Sequence, residues 1–552
     1  MRHRWAVLLL ITTANSDEAS LLYDVAIIGG GIGGMLTARA SVERYGMKVL
    51  IVEQGAVCKQ GATAAAKQGH VFVPHGALNT HEDALPLSKR FRVASHRIYR
   101  AMTDDGNDVG LVETGNANVI SDVERSPWES TFLKFELWLA HTLSTIGGLT
   151  PSLMPRQELR ERHNLTGVGA LLNEGSAMVS PCKVLLAARE LIESRGGGVR
   201  EAANVVSVAH SGGEYAIGLR DGSVVRSRAL VVAVGTWHNS FFAKYLPSCA
   251  KHIPSVGAVA GQIAVYAVPD RDGPASPGVF SYSAYSMMSA MLTELLPSIR
   301  AWQLRGCRWH PRYFLTQTCA EMGGERLAEY MYARHWGGHM STGGRREPLA
   351  DPSACHGPSH HAPSVPYRAD YEEWAYAQAA AVWGFDPSET TLLERYTACY
   401  PVSTDGRVHA EQVDCDTYPR LFILNGLAGG GIARGPGAGE HVAALVAASL
   451  AMGSGPAPEP ARRVVAPLAA CLTLVSLGAA LAYCWLICVG FVRPCCQVRP
   501  SFVASPLSKS TAAHVCTVRR TSCARVVCGC FGFVVLCVLA LSAILIAGNM
   551  WA

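Results

Sequence analysis

The sequence predicts an α/β protein organised around a Rossmann-like nucleotide-binding unit near its N-terminus, with a transmembrane helical hairpin at its C-terminus. Three observations carry this. Residues 23–53 read YDVAIIGGGIGGMLTARASVERYGMKVLIVE, a strand, glycine turn, helix, strand and terminal acid in the order a mononucleotide-binding βαβ unit requires. A second glycine-rich stretch, GLAGGGIARGPGAG at 426–439, follows another short apolar run. Residues 468–492 and 526–547 contain no charge, and each exceeds the roughly 20 apolar residues that span a bilayer.

Within the first unit, Val25 to Ile28 is a buried parallel strand stopping at glycines, and Gly29, Gly31 and Gly34 fit G-x-G-x-x-G. The first glycine permits the tight turn, the second lets a phosphate approach the backbone beside Ile32, and the third lets helix and strand pack closely. The helix N-terminus that follows offers unpaired N–H groups and a positive dipole end to a pyrophosphate. Lys48 to Val52 is the second strand, and Glu53, followed by Gln54, can accept from a ribose hydroxyl.

At 552 residues the chain exceeds one compact core, so two or three domains are expected. Eight Lys or Arg and no acid fall after residue 460, so removing them from the net charge of +5 leaves the globular part mildly acidic. No basic face stands out, which argues against nucleic acid as a partner. Ten of the 18 cysteines also lie after residue 460, and the other eight show no C-x-x-C pairing from which a zinc site or disulfide framework can be read. Residues 1–16, MRHRWAVLLLITTANS, read as a secretory signal, with a mitochondrial presequence as the competitor.

Beyond Glu53, the segment 55–76 passes through Gly61, Ala62, Thr63, Lys67, Gln68, Gly69 and His70. Here the chain resembles flavoenzymes of the D-amino-acid oxidase and glycine oxidase type, with their dehydrogenase relatives. The resemblance implies FAD as cofactor and implies that this small-residue segment passes the flavin, with Ala62, Thr63, Gln68 and Gly69 as contacts and His70 at the reacting end. Residues 91–164 are mixed: 132–146 has helical spacing and 154–164 reads as a polar surface helix, with an acceptor sequon at Asn164.

From Glu174 the resemblance resumes. Pro181 to Glu193 reads as a helix, Val205 to Val208 as a strand, and Tyr215 to Leu219 with Val224 to Arg226 as a hairpin around Asp221-Gly222. Ala229 to Val234 reads as a separate buried strand ending at Gly235-Thr236-Trp237. In the family this block contacts the dinucleotide, which assigns Val205, Val234, Gly235 and Trp237. Ile253-Pro254 and Gly261-Gln262-Ile263 resemble the crossing into a substrate domain, on a strand beginning Gly-Gln. Gly337-Gly338-His339 to Arg345 resembles the strand before the closing block, and 351–366 reads as an exposed insertion. In the closing block, Leu421 to Leu424 is a strand, Gly426, Gly429, Gly430 and Gly431 with Ile432 form the turn, and Gly439 to Ala448 is a helix. Backbone N–H groups there can stabilise the charge that gathers on a flavin pyrimidine ring.

The expected arrangement is a discontinuous FAD-binding domain (21–90, 165–245, 395–452) interleaved with an α+β substrate domain (91–164, 246–394). The membrane hairpin then carries a basic loop, 493–525, with six positive charges and no acid. By the positive-inside rule the loop is cytosolic and the flavin domain luminal or external; membrane lipid is thus a partner, and a mitochondrial membrane is the alternative. The resemblance implies hydride transfer from a small amine, amino acid or 2-hydroxy acid to the flavin, with oxygen or a quinone as electron acceptor. A catalytically silent flavin-binding scaffold is the rival reading. One departure matters: where many relatives have Arg-Pro before the T-x-D-G turn, this chain has Tyr400-Pro401. A phenol cannot reproduce an arginine fork on a carboxylate, so either Arg434 or Arg345 replaces it or the substrate is a secondary amine or hydroxy acid, and Tyr400 is either a substrate contact or an ordinary packed tyrosine. No metal site is expected.

Overall fold

The computed structural model of the chain describes residues 21–59, 69–73, 87–120, 141, 152–167, 169–270, 277–282, 330–349, 367, 369–405 and 407–452. The chain divides into a unit over residues 1–457 and another over 458–552, and every described residue falls in the first. The signal-like segment, the helix expected over 132–146 apart from residue 141, the insertion at 351–366, both apolar segments and the basic loop lie outside the described residues. Among the described residues no helix is long and apolar enough to cross a membrane.

In chain order the elements are β1 (Leu22–Ile28), α1 (Ile32–Tyr45), β2 (Val49–Val52), β3 (His70–Val71), α2 (Leu87–Asp104), β4 (Asn116–Ile120), β5 (Ser152–Pro155), α3 (Arg156–His163), β6 (Gly169–Asn173) and β7 (Ala177–Met178). Then come α4 (Pro181–Ser194), β8 (Gly198–Arg200), β9 (Val205–Ser211), β10 (Glu214–Leu219), β11 (Val224–Val232), α5 (His238–Tyr245), β12 (Val256–Ala267) and β13 (Gly278–Tyr282). Last are β14 (Tyr330–Trp336), β15 (His339–Pro348), α6 (Ala369–Trp383), β16 (Thr391–Ser403), β17 (His409–Gln412), β18 (Leu421–Asn425) and α7 (Gly431–Ala451).

The first sheet runs β17-β18-β11-β1-β2-β8, with β10 and β9 attached to β11. Its centre is parallel: β1 lies between β11 and β2, pairing Ile28 with Val232 and with Val52. Buried on both faces, these strands are the near-continuous Val, Ile and Leu runs that such a position demands. One face packs on α1, α2, α4 and α7 through Met35, Leu36, Phe91, Tyr99, Val184 and Val442, and the other on α5 through Phe242 and Leu246. Helix α1 stops because Gly46 turns left-handed at φ 60°, where Gly46 and Met47 donate to the Val42 and Ser41 carbonyls. The expected hairpin arm and separate strand are one continuous element, β11: its first half pairs β10 and its second half lies at the parallel centre.

The second sheet runs β16-β12-β15-β14-β13-β4-β6-β5, antiparallel except where β13 meets β4, and packs its apolar face on α6 through Tyr266, Ala333, Ala379 and Trp383. Two expected boundaries shift. Helix α2, which the division at residue 91 would have cut, belongs to the first core, whereas β6, expected on the cofactor side, pairs with β4 and β5 in the second sheet. Gly261-Gln262 does not begin its strand; it sits inside β12, at a register shift between Gly261 and Ile263. Gly337 and Gly338, at φ 46° and 71°, form the two-residue turn of the β14–β15 hairpin, a conformation that glycine adopts without strain.

Between described residues, two disulfides that cysteine spacing did not reveal join distant parts of the chain. Cys58 pairs with Cys182, and Cys249 with Cys415. The first ties the loop after β2 to the start of α4, and the second ties the segment after α5 to the loop between β17 and β18.

Candidate functional site

At the cofactor end the site is built from backbone. Gly29 has φ 108°, and a Cβ on Gly34 would collide with the Gly29 carbonyl, so these two glycines are fixed by local sterics. Gly31 is different. An ideal Cβ there meets nothing within 4 Å, and Gly31 is the N-cap of α1, with no side-chain cap hydrogen bond. An uncapped helix N-terminus facing open space is the cradle that a pyrophosphate fills. Glu53 ends β2 with its carboxylate held by two backbone donors, Gly30 N–H at 2.6 Å and Gly55 N–H at 2.8 Å. The acid is thereby fixed beside the glycine turn, and the residues present fit a dinucleotide.

The later blocks converge on the same edge. Gly235, at φ 60° with nothing within 4 Å of an added Cβ, follows β11, and its carbonyl accepts from Asn425 Nδ2 at 2.9 Å. Asn425 ends β18, next to Gly426 at φ 73°, where a side chain would meet the Arg407 carbonyl. A 3-10 turn over Ala428–Gly430 then opens α7, again without a side-chain cap. Two helix N-termini without side-chain caps, at α1 and α7, therefore follow β1 and β18, the two strands that flank β11 in one sheet. Val205 starts β9 and its carbonyl accepts from Tyr245 Oη at 2.8 Å; Trp237 lies in the turn after Gly235, and Gln54 is exposed. Ile32 and Ile432 bury their side chains in the first core, so their contribution toward a ligand is limited to the backbone. Ala62, Thr63 and Gln68 lie outside the described residues.

At the other end the site is built from side chains. Tyr400 of β16 lies across Gly261 of β12, and Tyr332 of β14 lies across Gly343 of β15, where any Cβ would strike the tyrosine ring. The two glycine floors bring the hydroxyls to 3.4 Å from one another. His70, following Gly69 at φ 61°, sets its ring edge-on to Tyr332, with centroids 6.1 Å apart. Its Nδ1 is 3.3 Å from Asn116 Oδ1, and in the tautomer that donates to this amide oxygen Nε2 carries the lone pair. Burial, reinforced by the nearby Arg334 charge, lowers the His70 pKa to about 4 despite the hydrogen bond to Asn116, so the imidazole is neutral at physiological pH. Burial also lowers Arg334, to about 10; its guanidinium donates to the Val179 carbonyl and lies over the Trp336 ring.

The structure brings His70 and Tyr400, both expected from the sequence, together with Tyr332, Asn116 and Arg334, which were not. The available signal was weak: Tyr332 and Arg334 are two apart on a strand and so share a face, but nothing local says which face meets His70. Arg434 has a different place from the one expected. It is 3% exposed, its Nη2 donates to the Leu427 carbonyl, and it fills the space under Gly430, so the guanidinium braces its own turn rather than standing ready for a carboxylate. Arg345 falls within β15, at a position whose side chain is not described.

Comparison with known proteins bears on both ends. The family described as FAD dependent oxidoreductase (DAO) matches residues 24–445. Among curated relatives, L-2-hydroxyglutarate dehydrogenase of Escherichia coli O17:K52:H18 is 26% identical over 223 residues, 39% of this chain and 48% of the relative. The same enzyme of strain K12 is 28% identical over 212 residues, 35% and 45% of the two chains. The chain thus spans about half the length of the curated relatives it matches. Among solved structures, glycine oxidase from Geobacillus kaustophilus superposes with a TM-score of 0.56 at 19% identity, covering 81% of this chain and 97% of that one. L-alpha-glycerophosphate oxidase from Mycoplasma pneumoniae, with FAD bound, gives 0.55 at 13%, covering 77% and 95%. These structures share the fold. With the family match extending over well more than half its length, the chain belongs to the DAO family of FAD-dependent oxidoreductases and is an enzyme whose cofactor is FAD.

Proposed function

We propose that the chain oxidises a 2-hydroxy acid, with His70 as the proton acceptor. One observation carries this choice over an amine: a buried, neutral imidazole whose Nδ1 lies against Asn116 Oδ1, next to two adjacent hydroxyls. An amine reaches its reactive neutral form in water, but an alcohol must lose a proton as its hydride departs, and that needs a base within reach. FAD, when bound, takes the hydride. The chain's own part is to hold the substrate: Tyr332 and Tyr400 orient it by hydrogen bonds, and Arg334 attracts its carboxylate. A carboxylate close to Arg334 would also offset the positive charge that helps to depress His70, so basicity rises when substrate binds. Gly31, Glu53, Gly235 and the turn at Gly429 to Gly431 would hold the cofactor. Anaerobic mixing with a panel of 2-hydroxy acids and amines tests the reading by the bleaching of flavin absorbance. Bleaching by amines alone would sink it.

Membrane anchoring belongs to the same proposal. The charge-free segments 468–492 and 526–547, the basic loop between them and the signal-like start motivate it, placing the catalytic unit on the luminal or external side. The two disulfides support that side, because such bonds persist in oxidising compartments. A membrane quinone then becomes a natural electron acceptor alongside oxygen. Protease added to sealed microsomes should spare the catalytic unit, and its digestion would reverse the orientation.

A further inference from the structure

Helix α7 contains a break that another helix repairs. Pro436 lies inside α7 and has no N–H, so the Ile432 carbonyl one turn earlier loses its helical donor. The lost bond is replaced from α2: Tyr99 Oη, on a fully buried side chain, donates to the Ile432 carbonyl at 2.9 Å. The next amide, Gly437 N–H, donates to Ser95 Oγ at 3.0 Å, and Ser95 in turn donates to the Phe91 carbonyl at 2.7 Å. The helices touch so closely here that a Cβ on Gly437 would strike the Phe91 carbonyl. Tyr99 and Ser95, one turn apart on α2, therefore bond both sides of the proline break. Ile432 directly follows Gly431, the first residue of α7.

Resting on the reading of Gly429 to Gly431 as the turn at the reducible ring of FAD, we propose that Tyr99 and Ser95 are positioning residues for the reaction. They fix the direction of the first N–H groups of α7 and so set how well those dipoles stabilise negative charge on reduction. A merely structural role would affect stability alone. Met102, 1% exposed on the same helix and in the same core, supplies the contrast. The full chain, purified in detergent with its flavin, is equilibrated with a reference redox dye. In Tyr99→Phe the ratio of reduced to oxidised flavin should fall about tenfold, the scale of one hydrogen bond, and in Ser95→Ala about threefold. Met102→Ala should lower the melting temperature yet leave that ratio within about twofold. Equal ratios in Tyr99→Phe and wild type, or an equal shift in Met102→Ala, would overturn the proposal. Should the wild type carry no flavin, the cofactor assignment fails separately, and amide hydrogen exchange over residues 431–437 judges the clamp. Faster exchange in Tyr99→Phe than in Met102→Ala supports it, and matching rates reject it.

Discussion

Around β1 the chain presents glycines and main-chain amides; around β12 it presents tyrosine, histidine and arginine laid over glycine floors. The difference teaches how each end should respond to change. A backbone cradle has one requirement, the absence of a side chain, and fails all at once when that is broken. A side-chain site loses function by steps, one hydrogen bond or charge at a time.

The largest effect should come from breaking the cradle without breaking the fold. Gly31→Leu adds a side chain to open space at an ordinary φ of −70°, so the protein should fold with near-native circular dichroism and contain no flavin. Gly34→Ala, whose Cβ would collide with the Gly29 carbonyl, should instead destabilise the fold by about 1–3 kcal/mol or more. A Gly31→Leu protein with a full flavin complement would remove the distinction. At the side-chain end, His70→Gln keeps a polar group of similar reach but not the base. Flavin content should be unchanged, and kcat on the best 2-hydroxy acid should fall by about 10²–10⁴-fold. Less than a fivefold loss would leave Tyr332 and Tyr400 to account for the chemistry.

Stability tests follow. Cys249→Ser with Cys415→Ser removes a cross-link between positions 166 residues apart, and chemical denaturation should show a loss of about 2–5 kcal/mol. The smallest effect concerns Asp405, in the turn after β16. Burial alone would raise its pKa, but bonds from Ser403, from the Arg407 N–H at 3.0 Å and from His409 outweigh that and hold it at about 2. A carboxyl depressed below its unfolded value stabilises fully above about pH 4, and the stabilisation is lost as pH falls through about 2. Because the group is well exposed, the contribution is discounted to about 1 kcal/mol. Asp405→Asn should cost that much at pH 7 and nothing at pH 2, and a pH-independent cost would assign the effect to the turn's shape.

The same contrast explains what the sequence could show. Gly29, Gly31, Gly34 and Glu53 are legible because the turn, the helix start and the strand end are all decided within about 30 residues by backbone sterics. The same holds for Gly426 to Gly431 after β18. Tyr332 becomes meaningful only when β13, β14 and β15 align it with His70, which is 262 positions away in the chain. Arg434 misled for the opposite reason: a lone arginine after a glycine turn resembles a ligand until burial and the Leu427 carbonyl show how it is used. The disulfides were unreadable because their partners are 124 and 166 residues apart, and spacing carries no signal at that range.

Those cross-links also have a topological consequence. The chain leaves the first sheet twice to build the second, once through β4 to β6 and once through β12 to β16. Cys58–Cys182 closes the first excursion at its base, and Cys249–Cys415 closes the other. The second sheet is therefore assembled from two covalent rings joined at the cofactor side. A single protease cut inside either ring opens it without releasing a fragment, so the nicked chain should migrate as one species on a non-reducing gel and separate only when thiol is added. A first proteolytic cut inside either ring would therefore leave both pieces of the active site attached.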